Sequence, residues 1–264
     1  AANTIIAVSH FGGKAFYSCK VANDPAGDFY VQDLVAAGVD TNLHQQREDG
    51  ISGKCIVMIT PDAERTMHTN LGISETVSEA ELHTDAISAS DYVYLEGYLV
   101  TSNSGRAAAI KAREIAEQSN VKTALTFSDP NMVRFFKDGL GEMLGGGVDL
   151  LFCNREEALT WAETDNIETA AEALKSIAKS YAITLGKDGA LLFDGSTTIQ
   201  VPATPVQAVD TNGAGDMFAG AFLYGLTHGY RYEQAGLLAT KAAAELVTQF
   251  GPRLKPEQHK SLLG

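Results

Sequence analysis

Asp210-Thr211-Asn212-Gly213-Ala214-Gly215-Asp216 runs directly into Met217-Phe218-Ala219-Gly220-Ala221-Phe222-Leu223. Small residues lead into an apolar run at helical spacing, so the stretch reads as a loop that turns into a helix. The first amides of a helix have no acceptor within it, and the helix dipole adds positive potential at the same place. Together they make a seat for an anion. Gly213, Ala214 and Gly215 carry little or no side chain, so a phosphate can approach the backbone closely. Asp216 does not suit that seat as a ligand, because a carboxylate repels an anion. It suits the role of a base that takes the proton from a hydroxyl attacking phosphorus. The plain alternative is a first-turn acid favoured by the dipole, with glycines that serve only a tight turn.

Composition sets the frame for that stretch. At 264 residues with 45% hydrophobic content, the chain is long enough for one large domain, or one domain with a small appendage. Its three cysteines, Cys19, Cys55 and Cys153, are scattered and form no Cys-x-x-Cys pair. That favours a reduced, cytoplasmic protein over a disulfide framework or a zinc site. No apolar run approaches the roughly 18 residues that span a bilayer. The formal net charge of -13 disfavours nucleic acid and anionic membranes as partners. It also repels a nucleotide triphosphate, so any nucleotide must be held by local dipoles, a few cations and Mg2+. The chain starts at Ala1 inside what reads as a helix, and an N-terminal truncation is expected.

Outward from the opening stretch, short apolar strands alternate with helices. Helices are expected over 2–8, 28–37, 104–119, 132–144, 155–163, 167–180, 213–228, 232–249 and 256–263. Strands are expected over 14–21, 91–97, 122–128, 148–153 and 181–185, with a hairpin at 190–193 and 197–201 around Asp194-Gly195-Ser196. This rhythm indicates a mainly parallel sheet covered on both faces. Residues 43–70 break it. Ile56-Val57-Met58-Ile59-Thr60 and Arg65-Thr66-Met67-His68-Thr69 flank a turn at Pro61-Asp62-Ala63-Glu64, giving a β excursion from the α/β body.

Two further strings bear on chemistry. Asn154-Arg155-Glu156-Glu157 follows a buried-looking strand, at the strand edge where open α/β sheets bind ligands. Asn154 and Glu157 also have capping-box spacing, which is purely structural. Thr184-Leu185-Gly186-Lys187-Asp188-Gly189 joins a strand to a hairpin, as an ordinary glycine turn would. Taken in order with the opening stretch, these strings resemble the motifs of the ribokinase-like (PfkB) family of sugar and nucleoside kinases.

The resemblance implies a ribokinase-like three-layer α/β/α sandwich with a mostly parallel sheet and a small β lid. The core is then 1–42 and 71–264, N-terminally truncated, and the lid is 43–70. It implies an enzyme that moves the γ-phosphoryl group of ATP, with Mg2+ and a monovalent cation such as K+ as cofactors. By the same resemblance Asp216 is the catalytic base, and the amides of Gly213, Ala214 and Gly215 form the anion hole. Asn154 and Glu157 organise Mg2+ through water. Thr184, Gly186, Lys187 and Gly189, with Asn154, attend the nucleotide. Asn3 matches the end of a Gly-Gly-x-x-x-Asn motif whose Asn binds acceptor hydroxyls; otherwise it is a polar residue at a frayed terminus. Arg65 matches an Arg that reaches the transferring phosphate as the lid closes; otherwise it is a solvated strand charge. Asp210 matches a monovalent-cation ligand; otherwise it caps its turn. Gly251-Pro252-Arg253 closes that cation site or merely stops a helix. A homodimer through the lid is the implied assembly.

The acceptor is a nucleoside or a sugar. Arg65-Thr66-Met67, Asn70-Leu71-Gly72, Tyr94-Leu95-Glu96-Gly97-Tyr98 and 148–154 resemble the adenosine kinases of the family and their bacterial relatives, which implies adenosine converted to AMP. Ser128-Asp129-Pro130-Asn131 departs from that pattern and looks more like a sugar kinase of the fructose or ribose type. A catalytically silent fold that binds ligand as a sensor is the alternative outside enzymes. A Gly-x-Gly-x-x-Gly or Walker-type Gly-rich turn is not in the chain, which argues against a dinucleotide-binding or P-loop protein.

Overall fold

Short polar side chains mark where this chain starts its helices. Asp24, Ser102, Asp129, Asn154 and Asn166 each accept a hydrogen bond from an amide two or three residues ahead, and Pro25 and Pro130 stand at the first helical position. The computed structural model describes residues 1–44, 47–61 and 65–264, apart from the side chains of 44 and 65. The turn expected at Pro61-Asp62-Ala63-Glu64 therefore lies outside the described residues for 62–64.

The chain divides into two compact units, Ala1–Val77 with Ala203–Gly264, and Ser78–Pro202. The N-terminal part of the first unit holds α1 (Ala2–Phe11), β1 (Phe16–Tyr17), α2 (Pro25–Ala36), β2 (Asp40–Thr41), β3 (Lys54–Ile59) and β4 (Arg65–Asn70). The second unit holds α3 (Thr84–Ser88), β5 (Tyr92–Glu96), α4 (Asn103–Gln118), β6 (Lys122–Thr126), α5 (Pro130–Leu144) and β7 (Leu150–Asn154). It continues through α6 (Arg155–Ala162), α7 (Ile167–Leu174), β8 (Tyr181–Thr184), β9 (Ala190–Phe193) and β10 (Thr198–Val201). The first unit resumes with α8 (Ala214–Thr227), α9 (Tyr232–Leu246) and α10 (Pro256–Leu263).

The second unit is built on a six-stranded sheet in the order β10-β9-β8-β7-β6-β5. The pairs β5–β6, β6–β7 and β7–β8 are parallel; β9 and β10 run antiparallel beyond them. Leu150, Leu151, Phe152 and Cys153 are all buried, as a strand covered on both faces requires. Its core gathers Leu125, Phe127, Leu140, Met143, Leu151, Tyr181 and Ile183. The parallel register pairs Glu96 with Thr126 and Asn154 with Thr184, so these four residues end their strands along one edge of the sheet.

In the first unit, Ile6, Leu34, Val39 and Leu43 form a smaller core. Helix α8 is buried almost all round, from Met217 through Leu223, and α1 packs on it. Gly220 makes that crossing tight: a Cβ there would lie 2.7 Å from Thr4 O and 2.8 Å from Ala7 Cβ. The β excursion is present as an antiparallel hairpin, β3–β4, registered from Lys54↔Asn70 to Ile59↔Arg65. It leaves Ile56, Met58 and Met67 exposed.

Two expectations need correction. The strand expected over 14–21 is reduced to Phe16–Tyr17. Beyond it the side-chain amide of Asn42 takes the place of a strand partner, accepting from Cys19 N and donating to Cys19 O, both at 3.0 Å. The helix expected over 167–180 stops at Leu174. The chain then turns and runs beside Val148, with Val148 N bonded to Ile177 O at 3.0 Å and Lys179 N to Val148 O at 2.8 Å.

Candidate active site

Helix α8 begins as the sequence requires. Gly213 is its N-cap with φ 80, a left-handed conformation that favours glycine. A side chain there would also strike Pro252, whose carbonyl oxygen lies 2.6 Å from the place of a Cβ. Ala214 N–H turns back to Thr211 O at 3.2 Å, so one of the three amides expected to seat an anion already has an acceptor. Among the described residues, the amides of Gly213 and Gly215 are given none, and Gly215 is exposed.

Asp216 stands in the first turn of α8, with its side chain 26% exposed. Thr4 Oγ1 donates to its Oδ1 at 2.7 Å and Asn3 Nδ2 donates to its Oδ2 at 3.0 Å. The Ala1 nitrogen lies 3.6 Å from Oδ1. Burial acts to raise the pKa of this carboxyl, and the Asn3 and Thr4 donors act to lower it. Both donors favour the ionised form, the one a proton acceptor needs.

Asn3 is also held from its other side. Arg253 Nε donates to Asn3 Oδ1 at 2.9 Å, and Arg253 Nη1 pairs with Asp33 on α2. Asp210, buried just before the anion seat, accepts from Asn212 N at 2.8 Å and from Gly251 N at 2.9 Å. It thus ties the loop before α8 to the loop after α9. Thr4, Arg253 and Asp33 were not singled out as acting on Asp216. The signal for Thr4 was present: it is the polar member of the buried stripe Thr4, Ile6, Ala7, Val8 and Phe11 on α1. Arg253 and Asp33 meet only in the folded chain.

The second unit holds the other expected residues. Asn154 and Glu157 form a reciprocal capping box at the start of α6. Asn154 Oδ1 accepts from Glu157 N at 2.8 Å, while the Glu157 carboxylate accepts from Asn154 N and Nδ2, both at 2.9 Å. Glu157 is buried, and that burial pushes its pKa up to about 7, with Asp129, Glu156 and Glu96 adding repulsion against the Asn154 hydrogen bond. Among the described residues no group of three or more His, Cys, Asp or Glu side chains could hold a metal ion. Asn154 and Glu157 are the polar side chains that could meet a metal or its water at this strand end.

Thr184 ends β8, and Gly186 and Gly189 take φ 60 and 89 in the turn that follows. Leu185 N bonds Gly189 O across that turn at 2.8 Å, leaving Lys187 exposed at its tip. Asp188 pairs with Arg155 at 2.8 Å. Arg65 opens β4, but its side chain lies outside the described residues. Among the described residues no helix is long and apolar enough to cross a membrane.

This arrangement of fold and helix-start carboxylate has a family. The model for "pfkB family carbohydrate kinase" matches residues 1–259, and the chain belongs to that family of kinases. An adenosine kinase from Saccharomyces cerevisiae is 28% identical over 261 residues, covering 93% of this chain and 75% of its own. An uncharacterized sugar kinase from Archaeoglobus fulgidus is 26% identical, covering 93% of this chain and 96% of its own. The crystal structure of adenosine kinase from Sinorhizobium meliloti superposes with a TM-score of 0.94 at 33% identity, over 100% of this chain and 82% of that one. The fold is ribokinase-like α/β with a mostly parallel central sheet, and the chain is similar to nucleoside and sugar kinases of that fold.

Proposed function

We propose that this kinase transfers the γ-phosphoryl group of ATP to a hydroxymethyl oxygen of a nucleoside, with adenosine as the acceptor and AMP as the product. The observation that carries the reading is the Asp216 carboxylate, held by Asn3 and Thr4, beside the amides of Gly213 and Gly215, which have no acceptor among the described residues. A base beside an anion seat is what in-line attack of an alcohol on a phosphoryl group needs.

In this reading Asp216 accepts the proton of the attacking hydroxyl. Gly213 and Gly215 meet the charge that grows on the phosphoryl oxygens, while Ala214 shapes the turn. Asn3 presents its remaining amide hydrogen toward the acceptor. Thr184, Gly186, Lys187 and Gly189 attend the nucleotide phosphates, Lys187 as a cation at an open turn. Asn154 and Glu157 would hold Mg2+ through its water; bound there, the ion neutralises phosphate charge. Arg65 on the hairpin would do the same for the transferring group. Asp210, already accepting two amides, would share a carboxylate oxygen with K+. Residues 43–70 serve as the lid segment and 1–42 with 71–264 as the core, and the exposed Ile56, Met58 and Met67 of the β3–β4 hairpin suit pairing with a second copy. The protein works in the cytoplasm.

A sugar acceptor is the second reading, favoured by one observation. Ser128, in Ser128-Asp129-Pro130-Asn131, takes φ 70 and bonds Glu96 through its hydroxyl at 2.9 Å, so the end of β6 carries polar groups rather than a ring to stack on a base. A coupled ADP-release assay across adenosine, inosine, ribose and fructose separates the two. Turnover on adenosine above the others supports the first reading. Turnover on every acceptor equal to that of an Asp216→Asn control overturns both and leaves a ligand-binding kinase fold.

A further inference from the structure

We infer that Arg253, braced by Asp33, is a positioning residue for the base: it fixes which way round the Asn3 amide stands, and so keeps Asn3 donating to Asp216. The inference rests on the reading of Asp216 as the base and adds residues to it.

An asparagine amide has an accepting oxygen and a donating nitrogen of nearly equal size, and by itself it can present either to a neighbour. Asn3 lies between two ions that cannot exchange roles. Arg253 Nε can only donate, and it takes Asn3 Oδ1 at 2.9 Å. An ionised Asp216 can only accept, and it takes Asn3 Nδ2 at 3.0 Å. Were the amide reversed, its NH2 would face the guanidinium and its oxygen would face the carboxylate, both repulsive. One orientation satisfies both ends, and the opposite charges make it the stronger kind of hydrogen bond.

The guanidinium is itself aimed. Asp33 on α2 takes Nη1, which leaves Nε directed at Asn3. The loop that carries Arg253 is pinned by Gly251 N on Asp210 and by Gln249 Nε2 on Arg253 O at 3.4 Å. A line of bonded groups thus runs Asp33, Arg253, Asn3, Asp216, from α2 through the loop after α9 and the first turn of α1 to the first turn of α8. The titratable groups around it are His10 and Tyr30, whose pKa values both Arg253 and Asp33 influence. None of these positions Asn3 in place of Arg253.

Removal of the guanidinium frees the amide to turn, and Asp216 then loses a donor that favours its ionised form. The test compares the parent chain with Arg253→Met, Arg253→Lys, Asp33→Asn and Asp216→Asn. The acid limb of kcat for ATP-dependent phosphorylation is measured together with the KM of the acceptor. In parallel, 13C NMR titration of the Asp216 carboxyl and the 15N shift of the Asn3 side-chain amide are followed. Arg253→Met is expected to lower kcat near neutrality by about tenfold, to move the acid limb and the Asp216 titration upward by about half to one pH unit, and to change KM less than about threefold. Arg253→Lys, which restores the charge without the fork, recovers part of the loss. Asp33→Asn keeps the fold and Arg253 itself, and shows the same shift at smaller size; it decides the matter if Arg253→Met does not fold. An unmoved Asp216 titration and an unmoved Asn3 amide signal in folded Arg253→Met, or in Asp33→Asn where that variant decides, overturn the inference. Full turnover in Asp216→Asn overturns the base reading instead, while the two NMR signals still report whether Arg253 orients Asn3.

Discussion

Gly220→Ala tests the contact that brings Asn3 and Thr4 to Asp216. Position 220 is one turn beyond Asp216 on α8, on the side where α1 crosses. A methyl group there would sit 2.7 Å from Thr4 O and 2.8 Å from Ala7 Cβ. Neither obstacle is the end of a flexible side chain, so the conflict can be relieved only by moving one helix off the other. Overpacking of this kind costs about 1–3 kcal/mol, and an immovable obstacle puts the cost toward the top of that range. Against it stands the roughly 1 kcal/mol that alanine gains over glycine inside a helix. The packing term wins by about 1–2 kcal/mol, which for a chain of this size lowers Tm by about 3–6 °C. Differential scanning calorimetry reads the stability, and the ADP-release assay reads turnover, which should fall further than stability because Thr4 and Asn3 ride on the displaced helix. Gly215→Ala is the matched control. No atom lies within 4 Å of a Cβ at that position, so the helical gain of about 1 kcal/mol stands alone while the methyl group obstructs the anion seat. A Gly220→Ala chain that melts at or above the parent temperature with unchanged turnover would refute the account of the crossing.

Thr4→Val keeps the shape of a buried residue but removes the 2.7 Å donor to Asp216; a lost hydrogen bond to a charged group costs about 1.5–3 kcal/mol, read as a lower urea midpoint and a higher pH for half-maximal kcat. Glu157 has a folded pKa of about 7 against an ordinary 4.5, so the folded chain holds its proton more tightly than the unfolded one. Its relative contribution to stability is complete below pH 4.5 and is lost as pH rises through about 7, by about 3 kcal/mol at most. Glu157→Gln should flatten that slope in urea unfolding followed from pH 4.5 to 8, and an unchanged slope counts against the burial argument. His10 and His259 titrate the other way: burial holds both below 6.5, so the folded chain binds fewer protons and stability falls as pH drops below about 6.5. His259→Leu should remove part of that loss, measured as Tm at pH 5 relative to pH 7.5.

The rhythm of the second unit was legible because its signals are local. Buried strands such as Leu150–Asn154 are apolar on both faces, and caps such as Asp129-Pro130 and Asn154 begin their helices within one turn. The turn into α8 was legible for the same reason, since Gly213 takes a φ that favours glycine. What the sequence hid depends on distant partners. The end of the strand at Tyr17 depends on Asn42, and the end of the helix at Leu174 depends on Val148. Ala214 looked like its glycine neighbours, yet its amide bonds Thr211, which only the turn geometry reveals. The partners of Asn3, Asp216 and Arg253, are 213 and 250 residues away along the chain, beyond the reach of any local signal.

Asp210 carries a consequence for how this chain can vary in length. One carboxylate accepts an amide from each of two loops, those before α8 and after α9, and Gly213 abuts Pro252 with no room for a Cβ. A residue inserted into either loop would draw Gly251 or Asn212 out of reach, and the neighbouring loop has no slack to follow. Insertions and deletions should therefore be rejected at 210–213 and 251–253, whereas glycine and serine residues added between Thr198–Val201 and Ala214 upstream of Val209 should be accepted.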